Sequence, residues 1–224
     1  MSLKLAILAS GSGTNAQAMI DKAREGLLDV EITLILSNRP NAKVLERAQN
    51  AHIPHVLLDH TTFPSREAFD LAVVEAVVKS GAKAIALAGY MRILSPAFLQ
   101  AFPGHILNLH PAILPSFPGT HGGDDAVDYG VKISGATVHF VNEKMDNGPV
   151  IIQAAVPLKN GDTSDTLMQR IHALEHRIYP QALQWLSEGR LRIDGRKVEL
   201  LPSEKKILPP DGEYLISPPL EEGF

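Results

Sequence analysis

Apolar residues gather in short blocks along the first half of the chain, and these blocks alternate with stretches of longer period. The runs at residues 3–9, 30–36, 54–58 and 84–88 have strand length and little internal alternation, as expected of strands covered on both faces. Between them, residues 15–24, 42–51 and 65–79 place apolar side chains three and four apart, the spacing of a helix with one buried face. Strand and helix in alternation predict an α/β fold in which a parallel sheet lies between helical layers. Ser95 followed by Pro96 has the form of a capped helix start and predicts a short helix over residues 96–102. A strand follows at 105–109, then a Pro-rich loop at 111–119. Strands at 136–141 and 150–156 flank a polar turn, which brings the sheet to about seven strands. Residues 164–188 read as one long helix in which Pro180 predicts a kink or break near Tyr179. Residues 190–201 read as a two-stranded ribbon turning at Asp194-Gly195. Past residue 201 the chain is rich in Pro and charge without period, predicting an irregular tail over 202–224 that lies on the surface or is disordered, with residues 208–224 dispensable for chemistry.

Composition narrows the class. At 224 residues with no linker-like stretch, the chain is expected to form one domain over residues 1–201, followed by the tail. A net charge of −4 without a basic run argues against nucleic acid as the main partner. The absence of Cys excludes disulfides and thiolate metal sites. The first apolar run is too short for a signal-peptide core, and none approaches a membrane span. The expectation is a soluble cytoplasmic protein that binds no membrane.

Candidate chemistry centres on Asn108-Leu109-His110-Pro111 and Asp146-Asn147-Gly148-Pro149. Strand side chains alternate faces, so Asn108 and His110 project the same way where a strand gives onto a loop. Asp146 follows a second strand in a turn placed to close over that mouth. An amide, an imidazole and a carboxylate suit acyl transfer: two donors for an oxyanion, and an anion that keeps the imidazole oriented and protonatable.

Near the start, Gly11-Ser12-Gly13-Thr14-Asn15-Ala16 joins the first strand to the first helix. It satisfies the dinucleotide fingerprint with Ala in the third glycine's place. The second strand ends Leu36-Ser37-Asn38-Arg39, without the carboxylate an NAD site uses, although Arg39 would suit a 2′-phosphate and leaves an NADP oxidoreductase open. The same backbone N–H groups suit a single phosphate monoester, with Thr14 or Asn15 adding donors, and a plain structural turn is the third reading. His172-Ala173-Leu174-Glu175-His176 has the form of an inverted zinc-protease motif, but no third ligand stands near it, and no metal is expected.

Gly135-Ala136-Thr137-Val138-His139-Phe140-Val141, with Asn108–Pro111 and Asp146–Pro149, resembles the formyltransferase family that uses 10-formyltetrahydrofolate. With Ser10–Asn15 the similarity narrows to the glycinamide ribonucleotide branch, over roughly residues 3–190. The resemblance implies a three-layer, Rossmann-like formyltransferase fold, with a phosphate-binding half at about 1–100 and a catalytic and folate half at about 101–201. It implies formyl transfer from 10-formyltetrahydrofolate to the amine of glycinamide ribonucleotide, by a monomer or homodimer, with Asn108, His110 and Asp146 catalytic. Gly13, Thr14 and Asn15 would hold the ribonucleotide's phosphoribosyl group, and His172 and Glu175 would contact the ribonucleotide. Met91, Arg92, Ile93 and Leu94 would contact the pteridine, together with Asn108, Asn142, Glu143, Lys144, Met145 and Asp146, and Arg66 would lie near the cofactor's glutamate tail. Asn147 departs from the family, where Gly is common. Within the resembled group, methionyl-tRNA formyltransferase carries an added RNA-binding domain and formyltetrahydrofolate deformylase an added regulatory domain, neither of which fits this chain. A hydrolase of the deformylase type is the main alternative. A phosphate-binding module without catalysis would not require the three polar residues.

Overall fold

A computed structural model describes residues 2–224. Its strands and helices follow the predicted alternation: β1 (Leu3–Leu8), α1 (Thr14–Arg24), β2 (Val30–Ser37), α2 (Lys43–Asn50), β3 (His55–Leu57), α3 (Arg66–Lys79), β4 (Ala84–Leu87), α4 (Pro96–Ala101) and β5 (Ile106–His110). The remainder comprises α5 (Gly122–Tyr129), β6 (Ile133–Phe140), β7 (Val150–Pro157), α6 (Ser164–Ser187), the ribbon β8 (Leu191–Asp194) and β9 (Lys197–Leu200), and β10 (Leu215–Ser217). In hydrogen-bonded order the main sheet reads β10-β7-β6-β5-β4-β1-β2-β3. It is the expected mostly parallel α/β sheet with eight strands instead of seven, the extra one being β10 from the tail.

The chain divides into two compact units, residues 1–108 with 141–143, and residues 109–140 with 144–224. In the first unit, β1 pairs in parallel with β2 and β4, β2 with β3, and β4 with β5. Ala6, Leu8, Leu34, Leu36, Ile85 and Ile106 pack against Phe69, Val73 and Val77 of α3 and Phe98 of α4, all fully or nearly fully buried. The central position of β1, with β4 on one side and β2 on the other, makes the β1/β4 junction the topological switch point. In open α/β sheets the crevice beyond the strands' carboxyl ends at that point is where ligands bind.

In the second unit β6, β7 and β10 are antiparallel neighbours. The long helix α6 packs against β6 and β7. Pro180 does not break it: α6 is one element, and its buried residues Ile178, Tyr179, Ala182, Leu183 and Trp185 continue through the proline. Tertiary packing holds what the missing N–H would weaken. Helix α5 was not expected, because Gly122-Gly123-Asp124-Asp125 carries low propensity and little apolar period. The tail is not irregular throughout: β10 pairs with β7, and Ile207 bridges Glu221. Among the described residues no helix is long and apolar enough to cross a membrane.

Candidate active site

The second unit contains the centre of the site. Strand β5 runs one residue further than the apolar run suggests, through His110, which is 3% exposed. Asn108, two residues earlier on the same strand, is half-buried, so the pair shares a strand face as alternation requires. Pro111 ends the strand. The loop that follows is held by Thr137 of β6, whose hydroxyl donates to the Ala112 carbonyl at 2.7 Å and accepts from the Leu114 N–H at 3.1 Å. Gln153 of β7 donates to the Leu114 carbonyl and to the Thr137 hydroxyl, both at 3.0 Å.

This anchoring curls the loop back over the imidazole. His110 Nε2 lies 2.8 Å from the Phe117 carbonyl, so this nitrogen carries the proton and donates. His110 Nδ1 faces Asp146 Oδ2 at 3.6 Å, beyond hydrogen-bond length. The same carboxylate oxygen accepts the Gly119 N–H at 2.8 Å. Both side chains are almost withdrawn from solvent.

Asp146 reaches this position from a left-handed backbone, φ 49°, which is unfavourable for a residue with a Cβ. Its neighbours enforce it. A Cβ on Gly148 would lie 1.6 Å from the Phe140 carbonyl oxygen, so only glycine permits this close approach between the ends of β6 and β7. Phe140 N–H also donates to the Pro149 carbonyl at 2.9 Å. On the outer side Arg196, in the β8–β9 turn, donates to both the carbonyl and the side-chain oxygen of Asn147 at 3.0 Å. Asn147 thus ties the Asp146 turn to the ribbon.

A second imidazole belongs to the cluster. His139 Nδ1 donates to the Phe140 carbonyl at 2.9 Å, which leaves Nε2 facing Asp146 Oδ1 at 3.9 Å. Burial pushes the His139 imidazole below its ordinary value; its backbone bond and Asp146 act the other way, and His110 adds to the lowering. Reading the sequence placed His139 in a strand without a role. The available signal was a titratable ring inside an otherwise apolar run, but the run does not say which way the ring faces. The Phe117 carbonyl and Gly119 N–H left no signal, because backbone groups carry no residue preference.

Elsewhere in this unit His172 Nε2 and Glu175 Oε2 stand 4.0 Å apart on α6, the histidine half-exposed and the glutamate buried. Met145 and Lys144 are exposed. Among the described residues no group of three or more His, Asp or Glu side chains is arranged to hold a metal ion.

The first unit carries the other predicted groups. Gly13, φ 71°, caps α1 and its carbonyl accepts the Gln17 N–H at 2.9 Å. The N–H groups of Thr14, Asn15 and Ala16 therefore form the first turn, which has no intrahelical acceptors. The loop is braced by Val44 N–H to the Gly11 carbonyl at 3.2 Å and Arg47 Nε to the Ser12 carbonyl at 2.8 Å. At the end of β2, Asn38 is buried and its side-chain oxygen accepts from Ser10 at 2.6 Å. An amide engaged inward in this way offers nothing to a dinucleotide ribose. Residues 91–94 leave the end of β4 with Met91 and Ile93 exposed and Leu94 buried, and the Arg92 guanidinium lies 5.4 Å over the Phe69 ring. Arg66 opens α3, exposed, with Glu67 at 3.3 Å. Asn142 and Glu143 are exposed.

Residues 3–183 match the model of the family described as Formyl transferase. The phosphoribosylglycinamide formyltransferase of Bacillus subtilis is 42% identical over 183 residues, which cover 82% of this chain and 94% of that protein. A crystal structure of glycinamide ribonucleotide transformylase 1 from Symbiobacterium toebii is 46% identical, with a TM-score of 0.89 over 90% of this chain and 95% of that one. The trifunctional purine biosynthetic protein adenosine-3 of Bos taurus is 42% identical over 190 residues, where this chain spans only 19% of the longer protein. With a family match running from β1 into α6 and a structural match covering nine-tenths of the chain, this chain belongs to the formyl transferase family.

Proposed function

We propose that the chain transfers the formyl group of 10-formyltetrahydrofolate to the amine of glycinamide ribonucleotide, giving formylglycinamide ribonucleotide in purine synthesis. The observation that carries this reading is the buried His110–Asp146 pair at the end of β5, in a formyl transferase. The nucleophile is the substrate's own amine, so the chain need not supply one. What it must supply is stabilisation of the tetrahedral oxyanion and a route for one proton, released by the attacking amine and gained by N10 as the C–N10 bond breaks, and His110 is the acid–base group that passes it toward N10.

His110 Nε2 is a donor, now engaged by the Phe117 carbonyl. The formyl oxygen takes the carbonyl's place, and as it becomes an oxyanion it is the stronger, charge-assisted acceptor. The exchange therefore favours the transition state over the ground state, which is the condition for catalysis. Asp146 stands opposite Nδ1 at 3.6 Å and keeps the ring oriented. Asn108 adds an amide donor from the same strand face. The ribonucleotide phosphate belongs at the first turn of α1, where backbone N–H groups and the helix dipole favour an anion. His172 and Glu175 complete the ribonucleotide side. Residues 91–94, Asn142, Glu143, Lys144 and Met145 contact the pteridine, and Arg66 the anionic glutamate.

Formyl-folate consumption measured with and without glycinamide ribonucleotide tests the assignment. Strict dependence on the ribonucleotide is expected, whereas equal turnover in water alone would identify a hydrolase. His110→Ala should lower kcat by about 10²–10⁴ and Asn108→Ala by about 10²–10³. Asp146→Asn should fall in the His110 range, and the double variant should be little worse than either single, since groups acting as a unit are non-additive. If His110→Ala kept more than about a tenth of kcat, the acid–base role would be wrong.

A further inference from the structure

The loop from β4 to α4 is fixed at both ends by side chains that have no part in the chemistry above. At its start the Met91 N–H donates to the Ser10 hydroxyl at 2.8 Å. At its end the Ser95 N–H donates to Asp70 Oδ2 at 2.6 Å. Asp70 sits on α3 and is 1% exposed, next to Phe69, whose ring carries the Arg92 guanidinium. A carboxylate this deeply buried is unfavourable unless it has a specific task or partner. Its single hydrogen bond is to a backbone N–H. The other oxygen, Oδ1, is buried without a partner, as are the Tyr90 hydroxyl and Arg92 Nε, both on the loop. Burial, then the Asp70 charge, raises the Tyr90 phenol above its ordinary value, against Arg92, which lowers it. The carboxylate's field thus reaches the Tyr90 hydroxyl at the start of the loop.

We propose that Asp70 is a positioning residue for the folate co-substrate: by holding Ser95 from beneath, opposite Ser10 at the other end, it presets the 91–94 loop in the shape that receives the pteridine. This rests on the reading of residues 91–94 as the pteridine contact. The alternative is that Asp70 merely supports the start of α4, and that role is already filled in part by the Ser95 hydroxyl, which accepts the Phe98 N–H at 3.4 Å. A structural support would affect both substrates or neither. A loop preset for folate affects one.

The test is a comparison of steady-state constants for both substrates. Asp70→Ala should raise KM for 10-formyltetrahydrofolate about tenfold or more, the scale of a lost hydrogen bond to a charged group, and leave KM for the ribonucleotide and kcat nearly unchanged. Asp70→Asn retains an acceptor for the Ser95 N–H and should restore folate KM to within about threefold of the unsubstituted chain. Equal changes in both KM values, or a loss of thermal stability with neither KM altered, would overturn the proposal. Met91→Ala/Ile93→Ala separates it from the reading beneath it. If that double variant raises folate KM and Asp70→Ala does not, the loop contacts folate but Asp70 does not position it. If the double variant leaves folate KM unchanged, the contact reading fails and the proposal with it. Should Asp70→Ala fail to fold, hydrogen exchange on the unsubstituted chain decides: amides of residues 91–95 already protected before folate is added support a preset loop, and protection that arises only with folate overturns it.

Discussion

Asp146 has an imidazole on either side, and the two differ in what their other nitrogen touches. His110 directs Nε2 outward from the carboxylate to the Phe117 carbonyl, while His139 commits Nδ1 to its neighbouring backbone and leaves Nε2 as an acceptor. Burial holds His139 below its ordinary value of 6.5. An unfolded chain therefore takes up this proton more readily than the folded one as pH falls below about 6.5. The stabilisation from a neutral His139 is complete above that value and is lost as pH falls through the lower, folded value. His139→Asn keeps a donor for the Phe140 carbonyl and removes the titration. Urea unfolding midpoints measured from about pH 7.5 down to about pH 5 should fall less steeply for His139→Asn than for the unsubstituted chain. Parallel slopes would show that His139 does not titrate differently on folding. At this scale the sequence was informative where geometry is local: two residues apart on one strand forces Asn108 and His110 onto one face. It was silent where a residue acts through space, as His139 and the backbone of residues 117 and 119 do.

Among the elements, the glycine loop separates two effects that the sequence runs together. A Cβ on Gly13 would come within 2.6–2.9 Å of Val44, including its Cα, and the residue holds φ 71°. Any substitution there strains the turn before a phosphate is considered, by about 1–2 kcal/mol for the left-handed backbone alone. A Cβ on Gly11 meets nothing within 4 Å. Gly11→Val should therefore raise ribonucleotide KM with little change in thermal stability, whereas Gly13→Ala should lower stability as well. The comparison needs only a melting curve and two KM values. If Gly11→Val left ribonucleotide KM untouched, the phosphate would not approach the loop at that point. The elements themselves were legible wherever period and length agreed, from β1 through α4. They were not legible in α5, where a Gly-Gly-Asp-Asp start hides a helix stabilised by packing, nor at β10, three residues long and defined by its partner β7. Short strands gain their identity from the neighbour's hydrogen bonds, which a single sequence does not display.

At the scale of the whole molecule, composition places the tail on the surface but does not show how it is anchored. Its Pro and charge content predicts a surface segment, and residues 201–219 are mostly exposed, but several of its charges are paired: Glu221, 4% exposed, bonds Arg190 at 2.8 Å, and its N–H donates to Gln181 at 2.8 Å. Arg177 binds Asp211 and the Tyr214 hydroxyl, and Lys159 binds Glu213 at 2.9 Å. Leu220 and Phe224 are buried. Paired charge reads as solvated charge until the partner, tens of residues away, is known. Truncation after Ile207 would remove β10 and leave Arg190, itself almost buried, with Glu188 as its remaining carboxylate. Removing the buried Leu220 and Phe224 side chains forfeits about 3–6 kcal/mol of apolar burial, and in a chain of this size that corresponds to a fall in Tm of roughly 10 °C. None of the contacts just named involves His110, His139 or Asp146. The truncated chain should melt about 10 °C lower while keeping, well below its Tm, a kcat close to that of the full chain. A truncation that melted unchanged would mean that the tail's contacts carry no net stability. One that stayed folded but lost about tenfold or more in kcat would place the tail in the positioning of the reacting groups, where small displacements are enough to slow the chemistry.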